Sequence, residues 1–329
     1  MSRLLALLLM CTAVAASLPP ANMTCAGAIC IDAEDGRVLT EQGADNPGFP
    51  ASVTKLMTAL LVLEDVAAGQ ARLSDLVPTD AAATRFGGST VALAVGERQR
   101  LDDLLAATLL RSANDAAAAL ACARGGSLPA FVTRMNARAA SLGMTRTRFV
   151  TPNGLTYGNG PHDTSSARDL ALLCRELLRH PQILTLTSCK ARTFRPISAI
   201  GRVEMTNHNR LLTSYPGCDG LKTGWTVAAG ASIATTAQRN GRRVIAVVLS
   251  AQSPLGAKPE QRLRDTYAAQ LMDAGFKALA ILKPGPVTPA LAAAKPTPQK
   301  TAASPSSTPS PTPPAKPTPP PLFNPKPSR

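Results

Sequence analysis

The sequence predicts an α+β fold, in which an antiparallel sheet is flanked by helices and accompanied by a helical subdomain. Three observations indicate this class: strand-like segments open the folded region, helical patterns fill its middle, and a run of strands followed by one helix closes it. Segregated strands and helices are typical of α+β folds, whereas regular alternation would predict a parallel sheet. At 329 residues the chain is long enough for one large or two ordinary domains.

The first predicted element is a β-hairpin. Its strands are the segments Ala28 to Asp32 and Arg37 to Leu39, and Asp35-Gly36 stands between them. Asp-Gly favours a tight hairpin turn, because both residues tolerate the positive φ angles that such a turn requires.

Five helical segments follow. Leu56, Leu60 and Leu63 give the first of them an apolar face, while Gly143 and Pro181 are stop signals for the last two. The predicted helices are Ser52 to about Ala67, a segment from about Leu101 that breaks just before Ser112, the alanine-rich run after Asn114, Ser127 to Leu142, and Ser165 to His180.

The last part of the folded region reads as a β meander closed by a helix. Asn240-Gly241 is a strong hairpin signal between the second and third strands. The predicted strands are Gly220 to Val227, Ala231 to Gln238 and Arg243 to Ala251, and the closing helix runs from about Pro259 to Phe276.

Both ends of the chain differ from the folded region, which we place from about residue 23 to about residue 282. Residues 1–17 have the positive start, short apolar core and small-residue cleavage site of a secretory signal. Residues 283–329 are rich in Pro, Ala, Ser, Thr and Lys, and such a composition predicts disorder. The tail carries six of the net +14 charges. It is either a tether in weak electrostatic contact with anionic wall polymer or a membrane surface, or a solvated spacer.

Export and an aromatic content of 3% disfavour nucleic acid as a partner. Cleavage of the signal would remove Cys11 and leave six cysteines, which permit up to three disulfides in an exported protein. The alternative is that those in apolar segments are buried free thiols. The six residues are Cys25, Cys30, Cys122, Cys174, Cys189 and Cys218.

A serine and a lysine three positions apart, Ser52 and Lys55, stand where a loop turns into the first helix. Residues i and i+3 share a helix face, so the amine is held near the hydroxyl. A lysine made neutral by its surroundings can take the proton of a serine and activate it as a nucleophile. In isolation the same pattern also fits a helix-capping serine followed by a solvated lysine.

Two further motifs follow in order, Ser112-Ala113-Asn114 and Lys222-Thr223-Gly224. Each of the three patterns, S-x-x-K, S-x-N and K-T-G, occurs once in the chain. Together they are the signature of class A β-lactamases and penicillin-binding proteins, and the trio is far more specific than any of its parts.

With these motifs the chain resembles the D-alanyl-D-alanine carboxypeptidases of the low-molecular-mass penicillin-binding protein family. The resemblance extends over nearly all of the folded region and implies the penicillin-binding protein/β-lactamase-like transpeptidase fold. Further matching phrases are Leu110 to Ala118, Met135 to Leu155, Ser166 to Leu172, Asn207 to Leu212 and Tyr215 to Thr226.

The resemblance implies a reaction for the first two motifs. Ser52 would attack the carbonyl of the penultimate D-Ala of a peptidoglycan stem peptide and release the terminal D-Ala, with Lys55 as the general base. Burial and a neighbouring cation such as Lys222 would keep that base neutral. Ser112 would relay a proton to the leaving amine. The reaction needs no cofactor and no metal, and His162 and His208 are expected to stabilise loops.

The resemblance also implies how substrate is held. Asn114 would bind the substrate amide, and Lys222 and Thr223 would receive its terminal carboxylate. Gly224 would let the ligand backbone approach closely. The oxyanion would rest on the backbone N–H groups of Ser52 and Trp225.

Alternatives within and beyond this chemistry stay open. Class A β-lactamases deacylate through a glutamate, but Glu176 and Glu204 are the only glutamates between Asn114 and Lys222 and neither lies in an E-x-x-L-N phrase. β-Lactams are therefore expected to acylate Ser52 and leave slowly, as inhibitors. The other candidate functions are a D,D-endopeptidase acting on cross-linked stems and a non-enzymatic wall-binding protein. No amphipathic anchor helix is visible in the tail, and we expect a periplasmic or otherwise extracytoplasmic enzyme.

Overall fold

A five-stranded antiparallel sheet, buried on both faces, forms the centre of the structure. The computed structural model describes residues 18–156, 160–195 and 201–281, so the predicted signal segment and the tail lie outside the described residues. The strands are β1 (Gly27–Asp32), β2 (Val38–Gln42), β3 (Leu76–Pro78), β4 (Arg98–Arg100), β5 (Ala191–Phe194), β6 (Val203–Thr206), β7 (Cys218–Thr226), β8 (Gly230–Arg239) and β9 (Arg242–Ala251). The central sheet has the order β2-β1-β9-β8-β7, which leaves β7 at one edge.

The two faces of the sheet belong to two apolar cores. Along β1, Ile29 and Ile31 face one core, whereas Ala28 and Cys30 face the other. Successive side chains of a strand point to opposite faces, so a strand covered on both sides must be apolar at nearly every position. This explains the continuous apolar runs in the sequence of β1 and β9.

Helices cover both faces. They are α1 (Lys55–Ala67), α2 (Leu101–Ala106), α3 (Asn114–Gly125), α4 (Leu128–Ser141), α5 (Ala167–Leu177), α6 (Gln182–Thr187), α7 (Leu211–Ser214) and α8 (Ala257–Ile281). The helix α8 packs on β8 and β9 from one side, and α5 packs on β1 and β9 from the other. The helices α2 and α4 both pack on α3, and α3 and α4 also contact α1. The predicted α+β class is confirmed.

The sequence predicted most of these elements with small errors at their ends. The predicted turn at Asn240-Gly241 joins β8 and β9, with φ angles of 49° and 76°. Ser127 accepts a hydrogen bond from the N–H of Ala130 as the cap of α4, and Gly143 follows that helix with φ of 75°. Pro181 does end one helical segment, but it is also the N-cap of the short helix α6, which was not predicted.

Two local differences bear on the site. Ser52 was predicted to begin an α-helix. It lies instead in a 3₁₀ turn, Ala51–Thr54, and Lys55 is the first residue of α1. Side chains at i and i+3 eclipse in a 3₁₀ turn, so this turn also keeps the amine of Lys55 near the hydroxyl of Ser52, as the spacing predicted. The segment after α2 continues as a π-helical turn, Ala107–Arg111, and Ser112 then has a left-handed φ of 61°.

The two-stranded sheets β3–β4 and β5–β6 were not predicted, because their three- and four-residue strands carry little apolar pattern. The disulfide alternatives are resolved for the part of the chain that is described, where all six cysteines are free thiols. No helix in the same part is both long and apolar enough to span a bilayer.

Candidate active site

The 3₁₀ turn places the hydroxyl of Ser52 beside the amine of Lys55, with 2.8 Å between Oγ and Nζ. Two other oxygens accept from the same amine: the side-chain Oδ1 of Asn114 at 2.7 Å and the backbone carbonyl of Asn153 at 2.6 Å. The S-x-x-K motif and the asparagine of S-x-N therefore meet at one nitrogen atom.

Lys55 is fully buried. Burial, together with the nearby cation of Lys222, lowers the pKa of Lys55 well below that of a free lysine. The buried carboxylates of Asp163 and Asp115 oppose this shift. A neutral amine beside a serine hydroxyl is the arrangement required of a general base.

The S-x-N motif forms a second wall. Ser112 is 5% exposed, and its left-handed backbone between the π-helical turn and α3 places it in the cleft. A non-glycine residue in this conformation carries strain, and such strain is common at functional sites. Asn114 begins α3, and its side-chain amide makes two hydrogen bonds. Its Nδ2 donates to the carbonyl of Gly87 at 2.8 Å, and its Oδ1 accepts from Lys55.

The K-T-G motif lies on the edge strand β7, as predicted. A side chain on Gly224 would collide with the backbone of the Ser52 turn, since a Cβ there would lie 2.6 Å from the carbonyl oxygen of Pro50 and 2.9 Å from the nitrogen of Ser52. The glycine is thus required by the fold as well as by any ligand. The same contact brings the backbone of β7 against the N–H of Ser52.

Lys222 is buried and does not line the cleft, although Thr223 does. Its Nζ donates to the carbonyl of Thr223 at 2.8 Å, and burial with the nearby Arg264 lowers its pKa to about 7. The prediction that Lys222 receives a carboxylate therefore stays a prediction. The cations that line the cleft are Arg210 and Arg264.

The cleft itself has a volume of about 720 Å³. The indole of Trp225 stands at its rim, 38% exposed, and its Nε1 donates to the carboxylate of Glu260 on α8 at 2.9 Å. Residues from every motif line the cleft together with residues of α8 and of the loops around 88, 154 and 208. They are Ser52, Gly88, Ser89, Ser112, Asn114, Gly154, Leu155, Asn207, His208, Arg210, Thr223, Gly224, Trp225, Thr226, Val227, Gln261 and Arg264.

Several residues at this site were not predicted to have a role there, among them Asn153, Arg264 and His208. Asn153 contributes a backbone carbonyl, which leaves no signature in a sequence, and Arg264 reaches the cleft from a helix distant in sequence. His208 lines the cleft, and burial with the charge of Lys222 lowers its pKa to about 4. The imidazole is therefore neutral at physiological pH. His162, in contrast, stacks on Phe49 with ring centroids 4.8 Å apart.

Neither glutamate considered as a deacylating base reaches the cleft. Glu176 lies in α5, where it pairs with Arg138 at 2.7 Å, and Glu204 is exposed on β6. The described residues that line the cleft include no Asp or Glu.

Sequence comparisons identify relatives of one kind. The family model for D-alanyl-D-alanine carboxypeptidases matches residues 12–253. The carboxypeptidase DacF of Bacillus subtilis is 34% identical over 249 residues, which cover 76% of this chain and 61% of that protein. DacC of Escherichia coli is 36% identical over 257 residues, covering 76% and 60%. The chain thus spans less than two thirds of the length of these relatives.

Solved structures agree with these relatives. A penicillin-binding protein of Listeria monocytogenes, solved in its ampicillin-bound form, aligns with a TM-score of 0.67 and 34% identity, covering 78% of this chain and all of that one. A D-alanyl-D-alanine carboxypeptidase of Mycobacterium tuberculosis aligns with a TM-score of 0.69 and 31% identity, covering 82% and 95%. The predicted penicillin-binding protein fold is confirmed.

Proposed function

The chain belongs to the D-alanyl-D-alanine carboxypeptidase family, and we propose that it removes the terminal D-Ala from peptidoglycan stem pentapeptides through an acyl-enzyme on Ser52. The observation that carries the proposal is the orientation of the Lys55 amine. A neutral amine has two N–H groups and one lone pair. The oxygens of Asn114 and Asn153 can only accept, so they take the two N–H groups. The lone pair is left for the third neighbour, the hydroxyl of Ser52.

Acylation would then proceed without a cofactor. The lone pair of Lys55 takes the proton of Ser52 while Oγ adds to the carbonyl carbon of the penultimate D-Ala. The backbone N–H groups of Ser52 and Trp225 stabilise the oxyanion, and loss of one such donor typically costs about 10²–10³ in rate. Collapse breaks the peptide bond, and the proton reaches the leaving amine through the hydroxyl of Ser112. Water then hydrolyses the ester and regenerates Ser52.

Substrate binding would use the remaining groups of the cleft. The Nδ2 of Asn114 has a second N–H, besides the one donated to Gly87, for the substrate amide. The terminal carboxylate would be received by Thr223, with the positive field of Lys222 and Arg264 behind it. Gly224 leaves room for the ligand backbone along β7.

We further propose that β-lactams acylate Ser52 and are released slowly. The cleft presents no carboxylate from the described residues that could activate a deacylating water. The ampicillin-bound form of the Listeria relative supports this expectation.

The domain division and location are also proposals: a secretory signal in residues 1–17, a catalytic domain from about residue 23 to about residue 282, and a tail of residues 283–329. The enzyme would act outside the cytoplasm. The six cations of the tail would add at most weak contacts with anionic wall polymer or membrane surface.

The test is the mass of the intact protein after incubation with benzylpenicillin, followed by an assay for D-Ala released from a stem pentapeptide. We expect one stable penicilloyl adduct on the wild type, none on Ser52→Ala, and D-Ala release by the wild type alone. Rapid hydrolysis of penicillin without an adduct would instead indicate a β-lactamase. A folded protein with neither adduct nor hydrolysis would contradict the proposal.

The lowered pKa of Lys55 and the pKa of about 7 for Lys222 predict how the second-order rate of acylation by benzylpenicillin, whose carboxylate resembles the substrate's, depends on pH. The rate should rise with pH as Lys55 loses its proton, and fall as pH passes through about 7 because Lys222 loses the charge that attracts the carboxylate. Such a profile reports the groups of the free enzyme. This alkaline limb, the fall of the rate near pH 7, should disappear in Lys222→Gln. If the fall stays at the same pH in that variant, a group other than Lys222 causes it.

A further inference from the structure

Behind the catalytic lysine lies a buried carboxylate that none of the three motifs contains. Asp163 is 4% exposed and accepts four hydrogen bonds. Its Oδ1 accepts from the N–H groups of Val150 at 2.6 Å and Thr151 at 2.9 Å, and its Oδ2 accepts from the hydroxyls of Thr151 and Thr54, both at 2.9 Å. Every partner is a donor, which is the environment of an ionised carboxylate.

Three of these bonds hold the segment 150–154, which is the segment that contacts the base. Asn153 accepts from Lys55 at 2.6 Å, and the carbonyl of Pro152 accepts from the hydroxyl of Thr58, one turn along α1, also at 2.6 Å. The hydroxyl of Thr151 accepts from the N–H of Gly154 at 2.8 Å and donates its own proton to Asp163.

The fourth bond reaches the other side of the same contact. Thr54 is fully buried and immediately precedes Lys55 in the chain. Asp163 therefore joins the turn that carries the base to the segment that orients it.

The charge of Asp163 also acts on the amine directly. The charged groups that face Lys55 are Lys222, which lowers the pKa of the amine, and Asp163 and Asp115, which raise it. Asp115 lies at the start of α3, where it accepts from the N–H groups of Val91 and Leu93. Burial raises the pKa of Asp163 itself, and its four donors oppose this shift.

We propose that Asp163 is a positioning residue for the reaction, which clamps segment 150–154 against Lys55 and supplies a fixed negative charge to the amine. The inference rests on the proposed role of Lys55 as the general base. It separates into two parts, a geometric one carried by the hydrogen bonds and an electrostatic one carried by the charge, and different variants test each part.

Asp163→Asn tests the charge. The amide is nearly isosteric, and its oxygen can still accept from the backbone N–H groups. Without the negative charge the protonated form of Lys55 is less favoured, so its pKa falls and the neutral base is available at lower pH. The acidic limb of the acylation profile should therefore move to lower pH, by roughly one unit.

Two variants that keep the charge test the clamp. Thr54→Val removes one hydrogen bond, and we expect the maximum rate of the profile to fall by roughly tenfold or less while the acidic limb stays in place. Asp163→Glu displaces the carboxylate by one methylene, and the maximum rate should fall by at least about tenfold with the acidic limb again in place. A folded Asp163→Glu protein with the wild-type maximum rate would overturn the geometric part. This result would hold even if Asp163→Asn does not fold.

Asp169→Asn is the matched control. Asp169 is 3% exposed and likewise accepts from a backbone N–H, that of Arg146 at 2.8 Å, and from a hydroxyl, that of Thr147 at 2.7 Å. It is not among the groups that act on Lys55. Its replacement should leave the acidic limb unchanged. If the acidic limb of Asp163→Asn lies at the same pH as the limbs of the wild type and of this control, the electrostatic part is overturned. A wild type that is not acylated at all would instead overturn the proposed function.

Discussion

Replacing Lys55 by methionine should slow the acylation of Ser52 by benzylpenicillin by at least about 10⁴-fold, because members of an activated nucleophile pair fail together when either is removed. Methionine fills the same buried volume but has no lone pair to take the serine proton. The second-order rate of adduct formation, followed by intact mass over time, measures the effect.

The control for this variant is Lys277→Met, which changes an exposed lysine on α8. It should be acylated at the wild-type rate. Circular dichroism and thermal unfolding show whether Lys55→Met is folded. A folded Lys55→Met protein that retained more than about a tenth of the wild-type rate would mean that another group activates Ser52.

The second large effect is expected from Gly154→Ala. Gly154 has a φ of 81°, and a Cβ at this position would lie 1.9 Å from the carbonyl oxygen of Ala51 and 2.9 Å from the nitrogen of Ser52. Both partners are backbone atoms and cannot rotate away, so the Ser52 turn must shift. Displacement by about 1 Å can cost 10² in rate. We expect roughly a hundredfold loss of acylation together with a large fall in the free energy of unfolding.

Gly143→Ala separates the clash from backbone strain. Gly143 has a similar φ of 75°, but a Cβ there would meet nothing within 4 Å. This variant should lose only the roughly 1–2 kcal/mol of a left-handed alanine and keep its acylation rate. Chemical denaturation and adduct formation, measured on both variants, test the comparison. Equal losses of stability and rate in the two proteins would show that the close packing of Gly154 on the Ser52 turn has no effect.

The parts of the fold that the sequence predicted well are those with a strong local signal. The turn Asn240-Gly241 and the glycine that ends α4 are conformational requirements of single residues, and the apolar run of β9 follows from burial on both faces. The sheets β3–β4 and β5–β6 were missed because strands of three and four residues show too little periodicity to distinguish them from loops.

At the site, the sequence predicted side chains that stand in motifs and missed groups that act through position. The pairing of Ser52 with Lys55 was predicted from spacing alone and is present at 2.8 Å. The carbonyl of Asn153 is a main-chain group, and the link from Asp163 to Thr54 crosses 109 residues. Spacing rules describe neighbours on one helix or strand, so neither contact was within their reach.

The position of Trp225, held at the rim of the cleft by its hydrogen bond to Glu260, gives the protein an internal fluorescent probe. Trp225 is the one tryptophan of the chain, and its half-exposed ring stands at the rim of the cleft. All of the tryptophan emission therefore originates a few residues from Lys222, at the mouth through which a ligand enters. Occupation of the cleft can be followed in real time by the intensity and wavelength of this emission, without a label and without turnover.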